Sequence, residues 1–344
     1  MGMKGVVHGG VARLQEMGLL DVAQGVPAAV HGRAFSQTGW GSREQLFRAA
    51  VGAKGTSVPQ LWLCGGTGGL PPVYQRFVVG GVEPRLIRRH GCTVGVVYHD
   101  EYAEYCLLTG VLPHDLSASR EAQTTAVFEG IEDALGDAGM TFANVARTWL
   151  YMDKILEWYE PFNRARDAFF RSRKVYDGLV PASTGIGSAN LCGSAITACA
   201  IAVKPKVRGA VTVEAVPSPL QCAALEYGSS FSRAVEIGTP EYRTLMVSGT
   251  ASIEPGGATA HVGDVKKQIQ LTMEVVEAIL TSRGMGWKDA TRAVMYLKKA
   301  AYMEVWQAWL KAHALESMPL ITIEADVCRD DLLVEIEVDT VAKA

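Results

Sequence analysis

The stretch EGIEDALGDAGMTFANVARTWLY, residues 129–151, returns without a gap as EVVEAILTSRGMGWKDATRAVMY, residues 274–296. Glu129 matches Glu274, Glu132 matches Glu277, Leu135 matches Leu280, and Gly139–Met140 matches Gly284–Met285. Phe142, Arg147 and Tyr151 fall on Trp287, Arg292 and Tyr296. So ordered a set of matches in one frame marks a duplicated unit.

Each copy reads as an amphipathic helix with apolar residues at helical spacing, such as Val275, Ile279 and Leu280. A glycine, Gly139 or Gly284, is placed to end it. Strand-like VARTWLYM or ATRAVMYL comes next, then an aromatic-rich helix, EWYEPFNRARDAFF or YMEVWQAWLKA. Two strands close each unit, ASTGIGSANL with ITACAIAV and PLITIEADV with LLVEIEVD. More strand text precedes the first helix, EYCLLTGVLP and RTLMVSGTASI. The expected unit is β-β-α-β-α-β-β, of the α+β class, a sheet with two helices on one face. The segment KPKVRGAVTVEAVPSP (204–219) carries the Pro and Gly of a junction, so an N-terminal domain spans 1–205 and a C-terminal one 206–344. Residues 1 to about 90, with the Gly-rich LCGGTGGLPP, have no partner in the repeat and read as an extension packed on the first unit.

With 48% apolar and 20% charged residues and a net charge of −3, the composition is globular and points away from nucleic acid. RLIRRHG (85–91), the densest basic run, reads as a solvated turn or an anion contact. The opening MGMKGVVHGGVARLQEMG lacks the apolar core of a signal peptide, and no apolar run reaches membrane-spanning length. The seven cysteines include no Cys-x-x-Cys, so neither zinc nor another cofactor is expected. Together these features suggest a cytoplasmic protein with reduced thiols.

Comparison of the copies singles out the last strand. CRDDLLVEIEVD (328–339) alternates, with Val334, Ile336 and Val338 on one face and Glu335, Glu337 and Asp339 on the other. Aligned by their cysteines, CGSAITACAIAV (192–203) puts Cys199 on Glu335 and Ile201 on Glu337. The first copy is apolar on both faces, so the acidic face of the second is expected to be sheltered as well. Shelter raises a carboxyl pKa, which suits a general acid.

The second unit, from FSRAVEIG through LMVSGTASI to DLLVEIEVD, resembles the RidA (YjgF-type) trimeric fold, as does FNRARDAFF…VPAS in the first. Two such units in one chain, with SSFSRAVEI, VSGTASIEPGG and CRDDLLVEIEV, resemble the chorismatase family over about residues 90–344. The resemblance implies two tandem RidA/YjgF-like (chorismate mutase-like) domains. It also implies conversion of chorismate to 3-hydroxybenzoate and pyruvate, with Glu335 as proton donor and relay and Cys328 at the position that steers the product. Hydrolysis to a dihydroxycyclohexadiene carboxylate, release of 4-hydroxybenzoate, and a RidA-like imine deaminase or ligand-binding protein are the alternatives. RidA deaminases carry an arginine where this chain has Ser183 and Leu320, which disfavours the deaminase. RidA relatives form trimers, so a trimer-like homo-oligomer is a further expectation.

A dicarboxylate substrate needs cationic or amide donors. Arg233, Tyr227, Ser230, Gly249, Arg166 and Thr184 are the candidate binding residues beside the catalytic pair Glu335 and Cys328. Each has a structural rival: Cys328 as a small apolar filler, Arg233 in a surface ion pair, and Tyr227 and Ser230 in core or turn. Arg164 and Arg166 compete with an exposed helix face, and Thr184–Gly187 with a β-turn. His99–Asp100 is no dyad, since neighbours on a strand point to opposite faces.

Overall fold

The computed structural model describes residues 33–42, 59–65, 73–79, 82–89 and 91–344. The opening segment read for a leader, and most of LCGGTGGLPP, lie outside these residues. The N-terminal region contributes β1 (Arg33–Gly41), β2 (Gln60–Cys64) and β3 (Val73–Val79). The first repeat contributes β4 (Arg85–Arg89), β5 (Cys92–His99), β6 (Ala103–Val111), α1 (Arg120–Asp137), β7 (Val145–Met152), α2 (Tyr159–Ser172), β8 (Ala182–Gly187), β9 (Ala189–Asn190) and β10 (Ile196–Pro205). The second contributes β11 (Thr212–Val216), β12 (Ala234–Gly238), β13 (Tyr242–Thr250), α3 (Val265–Ser282), β14 (Ala290–Leu297), α4 (Met303–Ala312), β15 (Leu320–Glu324) and β16 (Val334–Lys343).

The duplication is exact at the level of topology. One six-stranded sheet runs β4-β5-β6-β10-β7-β8 and the other β11-β12-β13-β16-β14-β15, antiparallel except for the parallel pairs β7/β8 and β14/β15. Local chemistry sets the helix ends in both copies. Ser119 and Asp264 accept the amides of Ala122 and Lys267 at the starts of α1 and α3. At their ends Gly139 (φ 67°) and Gly284 (φ 70°) turn left-handed, and the amides of Met140 and Met285 reach back to Leu135 and Leu280.

Each sheet packs its helices on one face. In the first repeat Phe128, Phe142, Phe169 and Phe170 stack with ring centroids 5.1 to 6.4 Å apart, and in the second Met273, Val276, Ile279 and Trp306 fill the matching layer. The opposite faces of both sheets meet in a shared core with the sheet β3-β1-β2-β9. Trp40 and Leu63 join Leu107, Trp149 and Ile186 of the first repeat, and Val235, Val294 and Ile323 of the second. Three sheets of one chain thus converge on one interior. Among the described residues no helix is long and apolar enough to cross a membrane.

Three expectations need correction. RLIRRHG is not a turn: Arg85–Arg89 is edge strand β4, giving the first unit a third leading strand, as edge strand β11 does in the second. The N-terminal region packs on both units rather than the first alone, since Gly65 lies so close to Ile323 that a Cβ there would come within 2.9 Å of its side chain. Finally, the cysteine alignment of the last strands is out by two residues. Tyr151 pairs with Thr197 as Tyr296 pairs with Glu335, and Trp149 pairs with Cys199 as Val294 pairs with Glu337. Thr197, not Cys199, therefore occupies the place of Glu335. A two-residue slide keeps every side chain on its face, so alternation alone could not reveal it.

Candidate active site

Strand β8 of the first repeat lies against β13 of the second, and the seam is stitched by Ser183 N–H donating to Ser248 Oγ (2.9 Å) and Gly249 N–H to Thr184 Oγ1 (3.0 Å). A cleft of about 580 Å³, counting its mouth, opens along this seam. The first repeat supplies Tyr159, Phe162 and Arg166 from α2, and Ser183 from β8. Tyr227, Arg233, Cys328, Arg329 and Glu335 come from the second.

Strand alternation brings Glu335, Glu337 and Asp339 onto one face of β16, and all three are buried, at 5%, 0% and 5% exposure. Their environments differ sharply. Burial, reinforced by the nearby Glu337 charge and eased by Arg147, pushes the Glu335 carboxyl up to about 8. It is therefore protonated at neutral pH. Burial alone would raise Glu337 too, but the guanidiniums of Arg292 and Arg147 outweigh it and hold that carboxyl below its ordinary value. Arg147 Nη2 reaches Glu337 Oε2 at 2.7 Å, Arg292 pairs with Oε1, and Trp149 Nε1–H donates at 2.9 Å. Asp339, also against Arg292 (3.2 Å), is shifted up by burial.

Gly249 lies beneath the acid. A Cβ there would overlap Glu335 Oε1 and approach Thr184 Cγ2 to 3.2 Å, so only glycine leaves room for the carboxyl. Cys328 stands on the cleft wall, half-buried, and burial followed by the Glu335 charge pushes its thiol up to about 12. Arg233 is 4% exposed, not in a surface ion pair, and forks onto Cys222 O at 3.0 and 2.8 Å. Tyr227 has the guanidiniums of Arg233 and Arg329 near its ring, 5.3 and 5.5 Å from the centroid. Arg166 is buried on the cleft side of α2, with Nη2 on Asn163 Oδ1 at 2.7 Å, whereas Arg164 is exposed and pairs with Glu160 at 2.9 Å.

Two candidates do not line the cleft. Ser230 donates to Asp167 Oδ1 at 2.5 Å and meets Tyr176 OH at 2.6 Å. Thr184 sits behind the wall, its hydroxyl oxygen accepting from Arg147 Nη2 at 2.6 Å and from Gly249 N–H. Thr184–Gly187 is strand, not a β-turn. Sequence reading missed Arg329 and Tyr159. Arg329 adjoins Cys328 in the quoted motif, a signal that was available, while nothing local marks Tyr159. Among the described residues no His, Cys, Asp and Glu side chains cluster as a metal site.

The first repeat has no equivalent acid. Thr197 stands where Glu335 does and donates to Val111 O at 3.0 Å, and the neighbouring Gly110 of β6 lies close to Gln60 O of β2.

With this geometry in view, comparison with known proteins is informative. Residues 222–342 match the family described as Endoribonuclease L-PSP. A 3-hydroxybenzoate synthase of Streptomyces hygroscopicus is 29% identical over 280 residues, covering 72% of this chain and 77% of that protein. A chorismatase of Streptomyces rapamycinicus is 29% identical over 241 residues, covering 63% and 69%. Over most of its length this chain is thus similar to proteins named 3-hydroxybenzoate synthase and chorismatase. A solved chorismatase superposes with a TM-score of 0.70 at 20% identity, covering 94% of this chain and 97% of that one, which shows the shared fold. The two six-stranded sheets of this chain have the same strand order and follow each other in tandem.

Proposed function

We propose that the protein is an enzyme that converts chorismate to 3-hydroxybenzoate and pyruvate, using Glu335 as the acid. The observation that carries this reading is a buried carboxyl, raised to about 8, in a cleft walled by Arg166, Arg233 and Arg329. Three guanidiniums and a neutral acid suit a dianionic substrate that must be protonated on carbon. The names of the homologous 3-hydroxybenzoate synthase and chorismatases support the same substrate.

In this mechanism Glu335 delivers its proton to the terminal methylene of the enolpyruvyl ether, giving an oxocarbenium ion and leaving the carboxylate. Water captures the oxocarbenium carbon, and the resulting hemiketal breaks its bond to the ring oxygen to release pyruvate. That oxygen stays on the ring, and loss of the neighbouring hydroxyl with a ring proton, as water, makes the ring aromatic. Chorismate supplies all atoms of 3-hydroxybenzoate and pyruvate, so the conversion is balanced without net water. Hydrolysis to the diol would consume one. Cys328, held as a thiol by its burial, then acts by shaping the ring pocket and hydrogen bonding rather than as a thiolate nucleophile. Ser183 on the cleft wall, where a RidA-type deaminase would need an arginine, favours this reading over imine hydrolysis. The reading divides the chain into a unit of residues 1–205 and one of 206–344, with the cleft between them.

The test is to incubate the purified protein with chorismate and follow products by chromatography. Pyruvate with 3-hydroxybenzoate supports the proposal; absence of pyruvate overturns it, and pyruvate with a diol overturns the assigned product.

A further inference from the structure

The repeat places Arg147 and Arg292 at matching positions, yet the residues matching Glu337 and Asp339 in the first copy are Cys199 and Ile201. Both arginines, 0% and 1% exposed, therefore converge on acids of the second copy alone. Arg147 crosses the seam to do so. Its Nη2 donates to Glu337 Oε2 (2.7 Å) and to Thr184 Oγ1 (2.6 Å), and Thr184 Oγ1 also accepts the amide of Gly249 (3.0 Å). That glycine is the floor on which the Glu335 carboxyl rests. A continuous run of contacts thus leads from Glu337 through Arg147, Thr184 and Gly249 to Glu335.

We propose that Arg147, Glu337 and Thr184 are positioning residues that seat the acid of the cleft and set its charge surroundings from across the seam. This rests on the assignment of Glu335 as the acid. The charges act in opposite senses on it: Glu337 disfavours its ionisation and Arg147 favours it. The other titratable or charged groups facing it are Tyr296 from β14, Tyr159 and Arg166 from α2, Cys328 and Arg329 from the segment before β16, and Tyr227 and Arg233 from the segment before β12. None of these links the two repeats through Gly249. Burying the ion pair is costly by itself, so it gives no general stability advantage over apolar filling such as Cys199 and Ile201 provide in the first copy.

The experiment compares Glu337→Gln and Arg147→Gln with the parent by the pH profile of kcat/KM on chorismate, and by the infrared band of the protonated Glu335 carboxyl titrated without substrate. The alkaline limb and the infrared midpoint should move to lower pH in Glu337→Gln and to higher pH in Arg147→Gln. Movement in the same direction, or none, overturns the proposal. Because each of these variants leaves a buried charge partly unpaired, Thr184→Val and Thr184→Ser provide a second reading that keeps the ions. Thr184→Val should lower kcat roughly tenfold with KM nearly unchanged, by misplacing the acid, and Thr184→Ser should restore it. An unaltered kcat in Thr184→Val overturns the positioning role. If the parent releases no pyruvate, the functional reading falls, while the infrared titration still decides whether the charges act on Glu335.

Discussion

Glu335 and Glu337 are two residues apart on one strand face, yet one is held neutral and the other charged. Two carboxyls with separated pKa values give an acid and a fixed anion from the same residue type. Activity should accordingly be full below about pH 8 and fall as the pH rises through that value and Glu335 loses its proton; a pH profile of initial rates checks this. The same shift bears on stability. With a folded-state value near 8 against an ordinary 4.5, the folded protein holds this proton more tightly, so stability is complete below about 4.5 and declines as pH climbs toward 8. Glu335→Gln should therefore lose turnover yet unfold at a higher temperature than the parent in a melt above pH 8. Cys328→Ala should keep pyruvate release within about threefold, because the buried thiol is not an ionised nucleophile, and shift the products away from 3-hydroxybenzoate. An unchanged product ratio by chromatography would assign the cysteine to packing.

At the scale of elements, the acid's geometry depends on β13 meeting β8. Gly249→Ala would drive a methyl into the Glu335 carboxyl, so kcat should fall by about two orders of magnitude while circular dichroism stays native. How far such features were legible in the sequence depends on their range. The repeated helix, glycine stop and strand carry local signals, and both copies fold as those signals direct. Edge strands β4 and β11 escaped because RLIRR and TVEAV are short, with polar or charged faces open to water, and one sits beside Pro and Gly. The acids of β16 were visible as an alternating pattern, and their shelter only through comparison with the apolar last strand of the first copy, because water and a second sheet leave the same alternation. Arg147 was visible in the repeat without a partner to explain it. Its carboxylate lies 190 positions away.

For the whole molecule, the decisive arrangement is the meeting of three sheets in one interior. The inner faces of both repeats are already covered within the chain, so light scattering should return the mass of a single chain rather than a trimer. Arg147 and Glu337 also bind the repeats together. Arg147→Ala would leave a buried carboxylate partly unpaired and should cost about 3–5 kcal/mol of unfolding free energy in a urea titration. Among the described residues one sheltered acid of this kind lines a cleft, and Thr197 stands at its place in the first repeat, so substrate should bind with a stoichiometry of one per chain. The most direct test of the central claim is nuclear magnetic resonance of the pyruvate formed from chorismate in deuterium oxide, by the parent and by Glu335→Gln. Proton delivery to the enolpyruvyl methylene predicts a singly deuterated pyruvate methyl group from the parent and essentially no pyruvate from the variant. Pyruvate released at the parent's rate by Glu335→Gln, or none from either protein, would contradict it.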